Sequence, residues 1–256
     1  MNKVISSAKN AVADIANGSS IAVGGFGMCG VPTVLIDALT ESGVDDLTVV
    51  SNNCGTDAFG LGILLREHRI SRVVASYVGE NEEFARQYLT GEIELELTPQ
   101  GSLAERLRAG GCGIPAFFTL AGVGTLVGDG GLPLRYSADG NVLKASMAKE
   151  QRTFSERTYL LEKSITTDFA FVRARVADEM GNAIFHASAR NFNPLCAMAA
   201  RTTIVEAEQI VPPGELDPDL IHLPGIFVQR VVAVPEGTEK PIEKLTLTRS
   251  AKDIRS

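Results

Sequence analysis

Four short apolar runs, at residues 20–24, 46–50, 72–77 and 93–97, are each followed by a stretch with apolar residues at helical spacing. Those stretches cover 32–42, 58–67, 81–89 and 102–109. Parallel neighbours in a sheet need a long helical return, so strand and helix alternating four times predict an α/β fold. The expected architecture is an open, mostly parallel sheet with crossover helices. A first helix is expected over 4–16, where Val4, Ile5, Ala8, Val12 and Ile15 share helical spacing before Asn17-Gly18 supplies a C-cap. In 93–97, Glu94 and Glu96 alternate with Ile93, Leu95 and Leu97, which places that strand near an edge.

Beyond residue 110 the alternation breaks into glycine-rich turns: Gly110-Gly111-Cys112-Gly113, Gly128-Asp129-Gly130-Gly131 and Asp139-Gly140, the last a hairpin signal. Extra strands are expected in the second half at 159–161, 169–172, 203–205 and 227–232. The charged stretch from Pro235 reads as peripheral, so the expectation is one domain over 1–248 with a tail at 249–256. A chain of 256 residues, 45% hydrophobic and 21% charged, is long enough to bury a large core.

A formal net charge of −7 without a basic run argues against a nucleic-acid binder. No apolar stretch approaches the roughly 18 residues of a membrane span, and the N-terminus lacks a signal peptide's apolar core. A cytoplasmic protein with no membrane partner is expected. Cys29, Cys54, Cys112 and Cys196 are scattered without a C-x-x-C pair, which suits reduced thiols better than disulfides. His68, His186 and His222 show no metal-ligand spacing.

The first strand–helix junction carries the chemistry. Ile21-Ala22-Val23 runs into Gly24-Gly25-Phe26-Gly27-Met28-Cys29-Gly30, and Pro32 then opens a helix. Glycines there let backbone N–H groups approach a ligand, and the helix N-terminus behind them favours a phosphate or carboxylate. Gly25-x-Gly27-x-x-Gly30 satisfies the dinucleotide fingerprint by letter. That reading needs an acid at the tip of the second strand, and Ser51-Asn52-Asn53 stands there instead. A tight β–α turn without a ligand is the plainer alternative.

Ligands of open parallel sheets sit outside the carboxyl ends of the strands. Three such ends present neutral amides: Asn52 and Asn53, Asn81, and Gln100. An amide both donates and accepts without charge, which suits a carbonyl, a carboxylate or an oxyanion. Each could equally be a turn or cap residue.

Several of these stretches together resemble the alpha subunit of the family I coenzyme A transferases. They are Asn17-Gly18 with Ile21-Ala22-Val23-Gly24-Gly25-Phe26 and Gly30-x-Pro32; Ser51-Asn52-Asn53; and Ser76-Tyr77-Val78-Gly79-Glu80-Asn81. The others are Leu97-Thr98-Pro99-Gln100-Gly101-Ser102-Leu103-Ala104-Glu105-Arg106 and Ala189-Arg190-Asn191-Phe192-Asn193. The resemblance spans about residues 4–248, with one mild departure at Leu120, where relatives often carry proline. Within the family it is nearest to the members using succinyl-CoA and a 3-oxo acid such as acetoacetate. The 3-oxoadipate members resemble it too, notably in Gly225-Ile226-Phe227-Val228-Gln229-Arg230-Val231-Val232.

The resemblance implies a ping-pong transfer through a glutamyl-CoA thioester, covalent catalysis that splits one hard exchange into easier steps. It implies a second, beta-type subunit of the same CoA-transferase, in a heterodimer or heterotetramer, carrying the glutamate in a Ser-Glu-Asn-Gly motif. This chain has no such motif, and Gly79-Glu80-Asn81 is its nearest look-alike. By resemblance Gln100 contributes an oxyanion-hole amide, and Asn52 and Asn53 lie beside the acyl or CoA moiety. The loop Gly24, Gly25, Phe26, Gly27, Met28, Cys29, Gly30 joins them as the substrate side. A CoA thioester is then the substrate, with no permanently bound cofactor. The alternative is a self-sufficient acyl-CoA hydrolase in which Glu80 is the nucleophile.

Overall fold

The computed structural model describes residues 2–240, so the tail at 249–256 and the boundary at 248 lie outside the described residues. The first half follows the expected alternation: α1 (Ala8–Ala11), β1 (Ser20–Val23), α2 (Thr33–Ser42), β2 (Leu47–Ser51), α3 (Gly62–Arg66), β3 (Ile70–Ala75), α4 (Glu82–Leu89), β4 (Glu94–Leu97) and α5 (Gln100–Gly111). The second half adds β5 (Ala116–Thr119), α6 (Leu126–Asp129), β6 (Pro133–Tyr136), β7 (Val142–Ala145), β8 (Gln151–Phe154), β9 (Arg157–Lys163) and β10 (Thr167–Asp178). It closes with β11 (Ala183–Ile184), α7 (Asn193–Ala199), β12 (Ala200–Val211) and β13 (Arg230–Ala233).

The main sheet has the order β13-β12-β10-β1-β2-β3-β4, with β11 paired to β10. Every pair along that order is parallel, and β11 is antiparallel. The α/β expectation therefore holds, and β4 is the edge strand that its alternating glutamates indicated. Successive strand residues feed two cores. Ile21, Val49, Val73 and Phe171 pack with Leu35, Leu39, Leu65 and Phe84 on one face. Ala22, Val50, Val74 and Val172 pack with Leu103, Leu107, Cys196 and Phe192 on the other. Burying both faces is why these strands read as continuous apolar runs. The glycine-rich middle forms two small antiparallel sheets, β5-β9-β8 and the hairpin β6-β7 that turns at Asp139-Gly140.

Three expectations change. The helix over 4–16 shrinks to the single turn Ala8–Ala11, because Val4 bridges Val231 and ties the N-terminal segment to β13. The strands expected at 169–172 and 203–205 continue to Asp178 and Val211, through charged residues that hydropathy reads as their ends. The run 227–232 begins as a 3₁₀ turn, Gly225–Phe227, and becomes strand only at Arg230.

Candidate active site

Strand order reverses beside β1: β2, β3 and β4 lie to one side and β10, β12 and β13 to the other. The loop leaving β1 therefore stands at the switch point where open sheets hold ligands. Its turn is closed by reciprocal Phe26–Cys29 backbone bonds of 3.0 and 2.9 Å. The loop after β2 repeats this closure between Thr56 and Phe59, a local echo hidden by unlike side chains.

Two glycines in the first loop are dictated by a neighbour. A Cβ on Gly24 would fall 2.0 Å from Asn193 Oδ1, and one on Gly30 (φ +74°) 2.8 Å from Asn193 Nδ2. Asn193 is fully buried; it accepts from Arg173 N at 3.0 Å and donates to Gly30 O and Ala189 O at 3.0 and 2.8 Å. Asn191 donates to Cys29 O at 3.0 Å, and Cys29 Sγ lies 3.3 Å from Ser188 Oγ. The 189–193 segment is thus a clasp on the glycine loop. Gly24 and Gly25 are buried beneath it, Met28 is buried, and Phe26 projects its ring half exposed.

On the β2–β4 side the amides meet. Gly27 N–H donates to Asn53 Oδ1 at 3.0 Å, and Asn53 Nδ2 donates to Gly27 O at 3.3 Å. Asn52 Nδ2 donates to Asn53 Oδ1 at 3.0 Å, and Gln100 Nε2 donates to Asn52 Oδ1 at 2.7 Å. Ser76 O–H also reaches Asn52 Oδ1, at 2.8 Å. Asn52 and Asn53 are buried, whereas Gln100 is exposed. Gln100 is the first residue of α5 and makes no cap bond to it. Asn81, by contrast, is a cap: its Oδ1 accepts from Phe84 N at 2.8 Å at the start of α4. Glu80 is exposed, one residue before that cap.

On the β10–β12 side lies a cleft of about 430 Å³ between Met28–Val31 and residues that include Arg173, Arg175, His186, Ser188, Glu208 and Lys240. Arg173 and Glu206 are register partners on adjacent parallel strands, both buried, with Nη1 3.2 Å from Oε1. Arg173 also donates to Thr33 Oγ1 at 3.2 Å and Glu208 at 3.4 Å, and Lys240 reaches the Glu208 carboxylate at 2.7 Å. Arg175 donates to His186 Nδ1 at 2.9 Å, which leaves Nε2 as the imidazole N–H.

The N-terminus of α2 is already occupied. Pro32 at its N-cap offers no side-chain bond, and Glu206 reaches across from β12 to accept from Leu35 N at 2.9 Å. The expected anion site at this helix end is filled by a carboxyl group of the chain itself. Burial pushes the Glu206 carboxyl up to about 8, while Arg173 and the α2 backbone donors pull it down. Arg173, Glu206 and Ser76 were not among the site residues expected from sequence. An arginine at the end of the apolar run Phe169-Ala170-Phe171-Val172 was the one available signal.

Residues 5–234 match the family described as Coenzyme A transferase. A relative from Mycobacterium bovis, one subunit of a probable succinyl-CoA:3-ketoacid coenzyme A transferase, is 62% identical over 96% of this chain and 99% of its own length. The mouse mitochondrial succinyl-CoA:3-ketoacid coenzyme A transferase 2A is 53% identical over 94% of this chain, which spans only 46% of that longer protein. Among solved structures, an acyl-CoA transferase from Escherichia coli O157:H7 in thioester complex with CoA shares the fold, with a TM-score of 0.77 at 23% identity. The match covers 93% of this chain and 48% of that one, so the chain spans about half of the solved relative. With a family match over nearly its whole described length and relatives more than half identical, the chain belongs to the coenzyme A transferase family.

Proposed function

We propose that this chain is the alpha-type half of a CoA-transferase that moves CoA from succinyl-CoA to a 3-oxo acid such as acetoacetate. The observation that carries this reading is near full-length identity to relatives named as one subunit of that enzyme. In the longer mouse relative, this chain corresponds to about half of one polypeptide. On the naming of those relatives as one subunit, a second polypeptide supplies the other half, including the nucleophilic glutamate, in a heterodimer or heterotetramer in the cytoplasm. Apolar side chains left exposed on the 116–163 region fit a docked partner: Leu143 is 66% and Met147 87% exposed, with Leu126 and Phe154 nearby in sequence.

The chemistry follows from charge. The partner's glutamate attacks the thioester carbonyl, giving an acyl-glutamyl anhydride and CoA thiolate. The thiolate then attacks the glutamyl carbonyl, releasing succinate and leaving a glutamyl-CoA thioester. The acceptor acid repeats the steps in reverse. Each attack turns a carbonyl oxygen into an oxyanion, and a fixed neutral donor stabilises it without holding the substrate carboxylate too tightly. Gln100 fills that role: one N–H is committed to Asn52 and the side chain is exposed at the strand ends. The Gly24–Gly30 loop, with Phe26, Met28 and Cys29, forms the neighbouring wall for the acyl-CoA.

The test is reconstitution. This chain and a second chain carrying a Ser-Glu-Asn-Gly motif, purified apart and mixed, are assayed with succinyl-CoA against acetoacetate, 3-oxoadipate and other short 3-oxo acids. Turnover with acetoacetate only after mixing is the expected result. Full activity of this chain alone would refute the half-enzyme reading, and a preference for 3-oxoadipate would reassign the acceptor.

A further inference from the structure

We propose that Asn53, Asn52 and Ser76 are positioning residues that set which end of the Gln100 amide is held inward, with the peptide groups of Gly27 as the source of that polarity. The proposal rests on Gln100 being the oxyanion donor.

A backbone peptide has no choice of direction: its N–H donates and its C=O accepts. Asn53 meets both groups of Gly27, so its Oδ1 must face the Gly27 N–H at 3.0 Å and its Nδ2 the Gly27 carbonyl at 3.3 Å. The Asn52 atom 3.0 Å from that same Oδ1 must then be the NH₂ group. That leaves Asn52 Oδ1 facing Gln100, whose contacting atom at 2.7 Å must be Nε2. Ser76, with its hydroxyl 2.8 Å from Asn52 Oδ1 and 3.2 Å from the Asn52 backbone carbonyl, anchors that side chain in place, while the direction of the amide comes from Asn53. Turning Asn52 or Asn53 over would set oxygen against oxygen and NH₂ against NH₂ at both of its ends. Such unmade bonds are costly where the groups are buried.

Only the last amide of the series is exposed: Asn52 is 2% and Asn53 9% exposed. The buried pair therefore acts through Gln100 rather than on substrate. An unrestrained glutamine would present either end to the cleft, and an oxygen there would repel the developing oxyanion. The relay keeps Nε2 in place, with its second N–H free to donate.

The test uses the reconstituted enzyme and the labelled chain. Asn53→Leu should lower kcat about tenfold or more with little change in KM for the acyl-CoA, since positioning is lost and binding is not. Asn53→Asp keeps an oxygen for Gly27 N–H and for Asn52 but sets its other oxygen against the Gly27 carbonyl, so it should recover only part of that loss. The double variant Asn53→Leu/Gln100→Ala should be no slower than Gln100→Ala alone, because both changes remove one function. In ¹⁵N-labelled protein, the Gln100 side-chain NH₂ signals should shift in Asn53→Leu. Multiplying kinetic effects, a raised KM, or unmoved Gln100 signals would each overturn the relay. Should Asn53→Leu fail to fold, Ser76→Ala carries the same tests at about two- to fivefold. If Gln100→Ala turns over like wild type, the oxyanion assignment falls on its own, and the NH₂ signals still decide the relay.

Discussion

The two flanks of the 25–30 loop handle buried polarity at the end of a parallel sheet in opposite ways. On the β2–β4 flank, three neutral amides and a serine satisfy one another and the loop backbone, carrying no charge. On the β10–β12 flank, Arg173, Glu208 and Lys240 form a charged chain around the Glu206 carboxyl, which caps α2. A neutral network holds shape at little electrostatic cost and leaves a donor exposed at its end. A charged network ties distant elements together, and each member depends on its partners. Losses on the first flank should fall on rate, and losses on the second on stability.

The largest effect expected is on stability. Glu206→Ala removes the α2 cap and leaves the buried Arg173 cation with only the longer Glu208 contact, which should cost about 3–5 kcal/mol in denaturant unfolding. Arg173→Met should cost less, since the carboxyl left behind keeps its proton below about 8 whereas a guanidinium cannot lose one. A cost for Glu206→Ala no larger than that of Gln100→Ala would mean that the two flanks do not differ in this way.

Next comes the rate effect on the neutral flank. Gln100→Ala should lose about 3–4 kcal/mol of transition-state stabilisation, roughly a hundredfold or more in kcat, with the melting temperature nearly unchanged. Gln100→Glu should be at least as slow, because a carboxylate repels the oxyanion. A fall in stability with turnover per folded enzyme intact would move Gln100 to the structural side.

A subtler contrast lies in pH. The Glu206 carboxyl holds its proton up to about 8 when folded, against an ordinary value of about 4.5. The folded state thus binds the extra proton between those values, so this residue's contribution to stability falls as pH rises through that window. Glu206→Gln should flatten the slope, and Gln100→Ala should leave it alone, as read by unfolding midpoints across pH.

The smallest effect concerns Glu80. Exposed and outside the α4 cap, it should tolerate Glu80→Ala within about 0.5 kcal/mol and with turnover of the reconstituted enzyme unchanged. Robust turnover by this chain alone, abolished by Glu80→Ala, would revive the stand-alone hydrolase.

The two flanks were not equally legible. Asn52 and Asn53 follow β2 directly and Gln100 opens α5 just beyond β4, strand-end places where a polar residue already asks for an explanation, and they could be proposed as site residues at once. Arg173 and Glu206 lie inside strands that hydropathy cuts short at those very charges. They are satisfied only because the parallel register sets them side by side, 33 residues apart in sequence.

By itself the sequence determined the alternation of strands and helices, the β4 edge, the hairpin at Asp139-Gly140 and the glycine loop. Each rests on local periodicity or on a backbone angle few residues adopt. Tertiary structure alone decided that the α2 N-terminus is filled by Glu206, that residues 189–193 clasp the glycine loop, and that separated amides form one polarised series. Those are pairings across distant segments, and their partners are set by strand order and register, which no local pattern encodes.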